Sequence, residues 1–213
     1  GPDFATGWGR IDGKAALDMI SQYNRKTKLF ARFREIEVAD AMEKRWTVNI
    51  REGREKFRAT LVWDDYPGKR YEKPKWITSK KTKLINDLDM YLVSPSGNYY
   101  YPWRLDSLPT GFVDTEGNPV DTSMGYENIH DGDVRDAYNG CGSSDRLDSA
   151  CFDHLNNVEV VDVRNPEPGR WQIVVVGKNI REYNNADSSA QVASLVSDLP
   201  LTTDSRCGIV HDY

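Results

Sequence analysis

Four acidic stretches of this chain carry residue types and spacings capable of chemistry. The first is "INDLDM", where Asn86, Asp87 and Asp89 lie in a run that reads as a strand. Side chains two apart on a strand share one face, roughly 7 Å apart, so two carboxylates there repel unless water, a cation or hydrogen-bond donors meet them. Asp64 and Asp65 stand at the end of another strand-like run, and Asp153 and Asn157 open a third. Together these residues make one oxygen-rich candidate cluster. Asp131, Asp133 and Asp136 in "HDGDVRD" make a second. Calcium takes six to eight hard oxygens, mostly from loops, and suits both clusters. Neither follows the twelve-residue EF-hand pattern. Two further readings of Asp87 and Asp89 stay open. They form a solvated acidic face, or they accept hydrogen bonds from loops crossing the sheet, since a buried charge is tolerated only when paired or hydrogen-bonded.

Nucleophilic catalysis fits poorly. Ser123 in "DTSMGY", with His130 or His154 and Asp131, supplies the residue types of a triad. A working triad also needs an oxyanion hole and a strand-to-helix elbow for the nucleophile, and nothing in the pattern supplies either. The three histidines, His130, His154 and His211, read as polar residues of loops or the terminus. Cys141 and Cys151 bracket "CGSSDRLDSAC" and suit a local disulfide in an oxidising compartment, leaving Cys207 over. No second thiol or histidine sits at zinc-ligand spacing from them.

These residues must be positioned mostly by strands. "RWTVNIRE" and "KFRATLVWDDYPG" alternate or run apolar and end in turn residues. "DLDMYLVSPSGNYYYPW" reads as a strand, a turn and an aromatic strand, which is a hairpin. "NNVEVVDVRNPEPGRWQIVVVGKNI" gives two more strands about a Pro-Glu-Pro-Gly turn, and "AQVASLVSDLPL" a last one. Seven or eight strands without helices between them imply a mainly β fold, an antiparallel β-sandwich or jelly roll. One amphipathic helix precedes them from about Asp12, with Ile11, Ala15, Ala16, Met19 and Ile20 at helical spacing. Residues 104–155 are rich in Asp, Gly, Asn, Ser and Pro and read as a long irregular insertion.

The balance of the 213 residues agrees: 11% are aromatic, enough to supply a core despite a mean hydropathy of -0.66. A net charge of -5 speaks against a nucleic-acid partner, which needs a basic stripe. No apolar run has the length of a membrane span. Tyr99, Tyr100, Tyr101, Trp103, Trp63 and Trp76 offer either a ligand platform or, more simply, core filler. The basic stretch at 68–83 reads as an exposed loop between strands.

Four stretches then resemble one family. "GPDFATGWGRIDGKAAL" is similar to the closing turn and helix of the catalytic domain of subtilisin-like serine peptidases. "ATLVWDDYPG", "LINDLDMYLVSPSGNYYYPW" and "NNVEVVDVRNPEPGRWQIVVVGKNI" resemble the β-sandwich that follows it in the oxidatively stable alkaline proteases, a P-domain-like module. The resemblance implies a boundary: residues 1–24 close the catalytic domain, and 25–213 form the C-terminal sandwich with its insertion. It implies a secreted accessory domain with structural calcium, whose partners are the missing catalytic domain and the parent enzyme's protein substrates. The family's Gly-Thr-Ser-Met-Ala nucleophile stretch and its Asp and His motifs are absent from this sequence, so no residue is expected to be catalytic. The alternative is an independent carbohydrate- or protein-binding module working through the aromatic strand.

Overall fold

The computed structural model describes residues 11–21, 23–24, 29–67, 84–103, 152–154, 156–181, 190–203 and 208–209. Its elements begin with helix α1 (Gly13–Ser21) and the short strands β1 (Tyr23–Asn24) and β2 (Leu29–Phe30), which pair with each other. Seven longer strands follow among the described residues: β3 (Phe33–Ala39), β4 (Met42–Ile50), β5 (Lys56–Trp63), β6 (Asp87–Val93), β8 (Val158–Arg164), β9 (Gly169–Asn179) and β10 (Ala190–Ser197). Three two-residue strands complete the set: β7 (Tyr99–Tyr100), β11 (Thr202–Thr203) and β12 (Gly208–Ile209). The fold is mainly β, with two antiparallel sheets in a sandwich and one short helix, as the strand patterns imply.

One sheet runs β3-β10-β5-β8, and the other β11-β4-β9-β6-β7 with β12 also on β4. Period-two alternation decides which side chains face the space between them. Phe57, Ala59, Leu61 and Trp63 of β5 point inward, while Lys56 and Arg58 point out. Trp171, Ile173 and Val175 of β9 meet them from the opposite sheet, with Leu88, Met90 and Leu92 of β6 alongside. Burying each such side chain contributes about 1.5–3 kcal/mol.

The six-stranded sheet buries its outer face as well. Val174 and Val176 of β9 and Tyr91 of β6 form a second apolar layer with Tyr101 and Phe152. Tyr101 and Phe152 stack edge-to-face with centroids 5.3 Å apart. Tyr101, just beyond β7, and Phe152 therefore both lie over the outer face of this sheet. The Trp103 N–H then donates to the Val160 carbonyl at 2.8 Å, joining the residues just beyond β7 to β8.

The hairpin between β6 and β7 forms where the sequence places it. Ser94 N–H donates to Asn98 O at 2.8 Å, Gly97 N–H donates to Ser94 O at 3.0 Å, and Gly97 sits at φ 87°. On the outer face of the smaller sheet, Arg58 and Asp162 stand directly opposite in register, with the guanidinium donating to both carboxylate oxygens at 2.6 and 2.7 Å. Burial alone pushes the Asp162 carboxyl up, but the Arg58 hydrogen bonds and charge, Lys56 and the Trp103 N–H together hold it below the usual range. Asp12 caps α1 by accepting the Ala15 N–H at 2.9 Å. Ile11, Leu17 and Ile20 of this helical region stay 60–89% exposed, and α1 buries none of its residues. No helix among the described residues is long and apolar enough to cross a membrane.

Gly177 of β9 has a packing requirement. It stands opposite Leu88, beside the register shift between Asp87 and Leu88, and its carbonyl accepts the Ala41 N–H at 2.9 Å. A Cβ there would lie 2.1 Å from the Ala39 carbonyl oxygen, which is backbone and cannot rotate away. Gly177→Ala is therefore expected to destabilise the fold by about 2–3 kcal/mol, the cost of overpacking a tight site. Urea unfolding measures this, and the lowered midpoint should come with an unchanged slope.

Candidate metal centre

Strand β6 carries its chemistry on the outward face and its core on the other. Leu88, Met90 and Leu92 point inward, so Asp87, Asp89 and Tyr91 share the outer side of the six-stranded sheet. Asp89 is nevertheless 4% exposed, because the segment holding Phe152, Asp153 and His154 lies over it. Phe152 packs against Tyr91 with ring centroids 6.2 Å apart, which sets the following two residues beside the aspartates. His154 Nδ1 lies 2.7 Å from Asp87 Oδ2 and 3.6 Å from Asp89 Oδ1. One ligand atom from each of Asp87, Asp89 and His154 can be chosen so that all lie within 4.8 Å of one another.

A third carboxylate approaches from the other sheet. β7 pairs with Leu92 and Val93, and among the described residues no strand neighbours the first half of β6 on that edge. Glu159 of β8 fills this role: it is fully buried, and its Oε2 accepts the Met90 N–H at 2.5 Å. Asp153, 3% exposed, stands close enough to raise the Glu159 carboxyl by its charge and accepts Asn156 Nδ2 at 2.7 Å.

This is a concentration of negative charge with too few donors. Asp87 Oδ1, Asp89 Oδ1 and Glu159 Oε1 are buried and have no hydrogen-bond partner among the described residues. Burial first, and then the Asp87 charge, push the Asp89 carboxyl up to about 7, against the opposing pull of His154 and Lys178. Glu159 rises well above the usual carboxylate range through burial and the charges of Asp89, Asp153 and Asp87, with the Met90 N–H opposing. Folding proteins do not leave buried carboxylate oxygens unmet without cost: they protonate, or they take a cation. The donor set of carboxylate oxygens and one imidazole fits a divalent ion.

No family model matches the chain, and no curated protein matches it. Among solved structures, one match is described as CorA, a surface-associated copper-binding protein important in copper acquisition by Methylomicrobium album BG8. The two chains are 11% identical over 84% of this chain and 96% of that one, with a TM-score of 0.35. A likeness at that level carries no argument about this chain.

The acidic residues singled out in the sequence divide into three groups. Asp87 and Asp89 come together, with Asp153 close to Glu159. Asp65 instead caps a chain turn, accepting the Ile85 N–H at 2.6 Å and the Asn86 N–H at 2.9 Å, and Asp64 is exposed beside it. Asn86 uses its whole amide on protein partners, donating to Gln191 at 2.8 Å and accepting the Arg181 N–H at 2.8 Å. Asn157 donates to the Trp63 carbonyl at 2.6 Å. These are the hydrogen bonds from crossing segments that the sequence left open as a reading of the "INDLDM" stretch, and they fall on its neighbours. Asp131, Asp133, Asp136 and the cysteines Cys141, Cys151 and Cys207 lie outside the described residues, as does Trp76.

Two members of the centre were not among the expected ligands. His154 reads in sequence as a polar loop residue, yet it is three-quarters buried against the aspartates. Glu159 reads as the polar position of an alternating strand, and the sandwich turns it inward. Strand parity held the clue for Glu159, since Val161 and Val163 on the same face are core residues.

The titration gives a signed prediction for the metal-free protein. Asp89 moves from its ordinary 3.8 to about 7, so the folded state holds this proton more tightly than the unfolded chain. Its contribution to stability is complete below about pH 4 and is lost as pH rises through about 7. Metal-free protein should melt at a higher temperature near pH 5 than near pH 8. Asp89→Asn, which removes the charge while keeping the shape, should stabilise the metal-free form at pH 8 by on the order of 2 kcal/mol. Calorimetry after exhaustive chelation checks both.

Proposed function

We propose that this chain is the non-catalytic accessory β-sandwich of a secreted subtilisin-like serine endopeptidase, held in its folded form by a bound divalent cation. The observation that carries the cation is the buried carboxylate cluster of Asp87, Asp89 and Glu159 with its unmet oxygens. The peptidase assignment rests on the family-like stretches, of which "LINDLDMYLVSPSGNYYYPW" supplies two residues of that cluster. A cation that binds only the folded state stabilises it by mass action, a useful property where proteases attack every unfolded chain. The apolar residues Ile11, Leu17 and Ile20 suit a helix whose covering body is the catalytic domain. Calcium is the ion the family resemblance implies, and the oxygens of Asp87, Asp89, Asp153 and Glu159 are of the type it takes.

The alternative of a carbohydrate platform gains no comparable support. Trp63, Tyr101 and Trp103 are buried at 1–9% exposure, and Tyr91, Tyr99 and Tyr101 pack on one another as filler of the outer layer.

Two measurements test the peptidase reading independently of any metal. The coding sequence upstream of the Gly1 codon should contain a Gly-Thr-Ser-Met-Ala stretch, and its absence from that reading frame overturns the assignment. The chain itself should leave casein intact; hydrolysis abolished by Ser123→Ala would overturn the non-catalytic role.

A further inference from the structure

The centre has a feature that calcium does not use. Calcium is held by six to eight oxygens, whereas nitrogen ligands select zinc, manganese, cobalt, nickel and copper. His154 presents a ring nitrogen 2.7 Å from Asp87 Oδ2 and 3.6 Å from Asp89 Oδ1, inside the compact arrangement that one small ion spans. β9 takes up one row of the β6 backbone groups from Asp87 to Val93, and the Met90 N–H of the other row is used by Glu159. Among the described residues, one imidazole nitrogen and two carboxylates are assembled within reach of a single ion.

We propose that Asp87, Asp89 and His154, with Glu159 behind them, form a binding site for a first-row transition-metal dication of the zinc or manganese class in preference to calcium. The inference rests on the cation reading above and specifies the ion. Three observations carry it. The first is the imidazole among the ligands, held in place by the packing of Phe152 on Tyr91 and Tyr101. The second is the clustering of one donor atom from each of the three residues within 4.8 Å. The third is the fully buried Glu159, whose Oε1 has no partner among the described residues and whose Oε2 accepts the Met90 N–H next to Asp89. A dication gives the cluster the positive charge that Lys178, on the exposed side, provides only weakly.

The test uses the whole chain after chelation and dialysis, titrated separately with zinc, manganese, cobalt and calcium chlorides. Zinc or manganese should raise the melting temperature by about 5–10 °C at a hundredfold excess over its Kd, with calcium at least about a hundredfold weaker. Bound cobalt should show visible absorption bands that shift in His154→Gln. That variant should weaken zinc about 10–100-fold while leaving calcium affinity unchanged. Asp87→Asn with Asp89→Asn should abolish zinc binding and, by removing buried charge, still fold. Calcium binding as tight as zinc, or zinc affinity indifferent to His154→Gln, overturns the choice of ion and leaves the cation reading standing. No stabilisation by any of the four ions overturns both.

Discussion

The structure turns on the half-covered edge of β6. A strand inside a sandwich must place apolar side chains on its core face and satisfy both rows of its backbone hydrogen bonds. β6 meets the first demand with Leu88, Met90 and Leu92, and β9 satisfies one row. Among the described residues, the other row is covered by β7 at Leu92 and Val93 alone. At Met90 the missing partner is replaced by a side chain from the opposite sheet, Glu159. That substitution commits the molecule to burying a carboxylate between its layers. Everything acidic nearby then experiences a site from which water is largely excluded, and the Asp87–Asp89 pair ceases to be a solvated surface feature.

From that commitment the rest of the centre follows. Asp89 is buried because Phe152 must cover Tyr91, and Phe152 brings Asp153 and His154 with it. Trp103, just beyond β7, donates its N–H to Val160 of β8. Packing of the outer aromatic layer and assembly of the ligands are one event. A surface acidic patch, by contrast, would keep ordinary titration and would not depend on which aromatic lies above it.

Much of this was legible in the residues before any coordinates. The alternating runs give β4, β5, β6, β8, β9 and β10, and the Ser-Pro-Ser-Gly-Asn stretch gives the hairpin, because period two and turn chemistry are local properties. The Asp87–Asp89 pair announces itself for the same reason. His154 and Glu159 were hidden because their roles are not local. His154 sits in polar sequence, and only tertiary packing through its neighbour Phe152 turns it toward β6. Glu159 shares the face of Val161 and Val163, so strand parity marks it as inward, but its contact with the Met90 N–H of the other sheet is tertiary. Asp65, Asn86 and Asn157 show the converse: residue types suited to ligands become hydrogen-bond partners once the segments cross.

The outer aromatic layer ties the site to residues that carry no ligand. Trp103 is fastened to β8, and Phe152 is seated against Tyr91 and Tyr101. The ring that fills this layer is the immediate neighbour of Asp153 and lies two residues from His154, so its volume sets where the imidazole stands. A site built this way is tuned by its hydrophobic packing as much as by its charges.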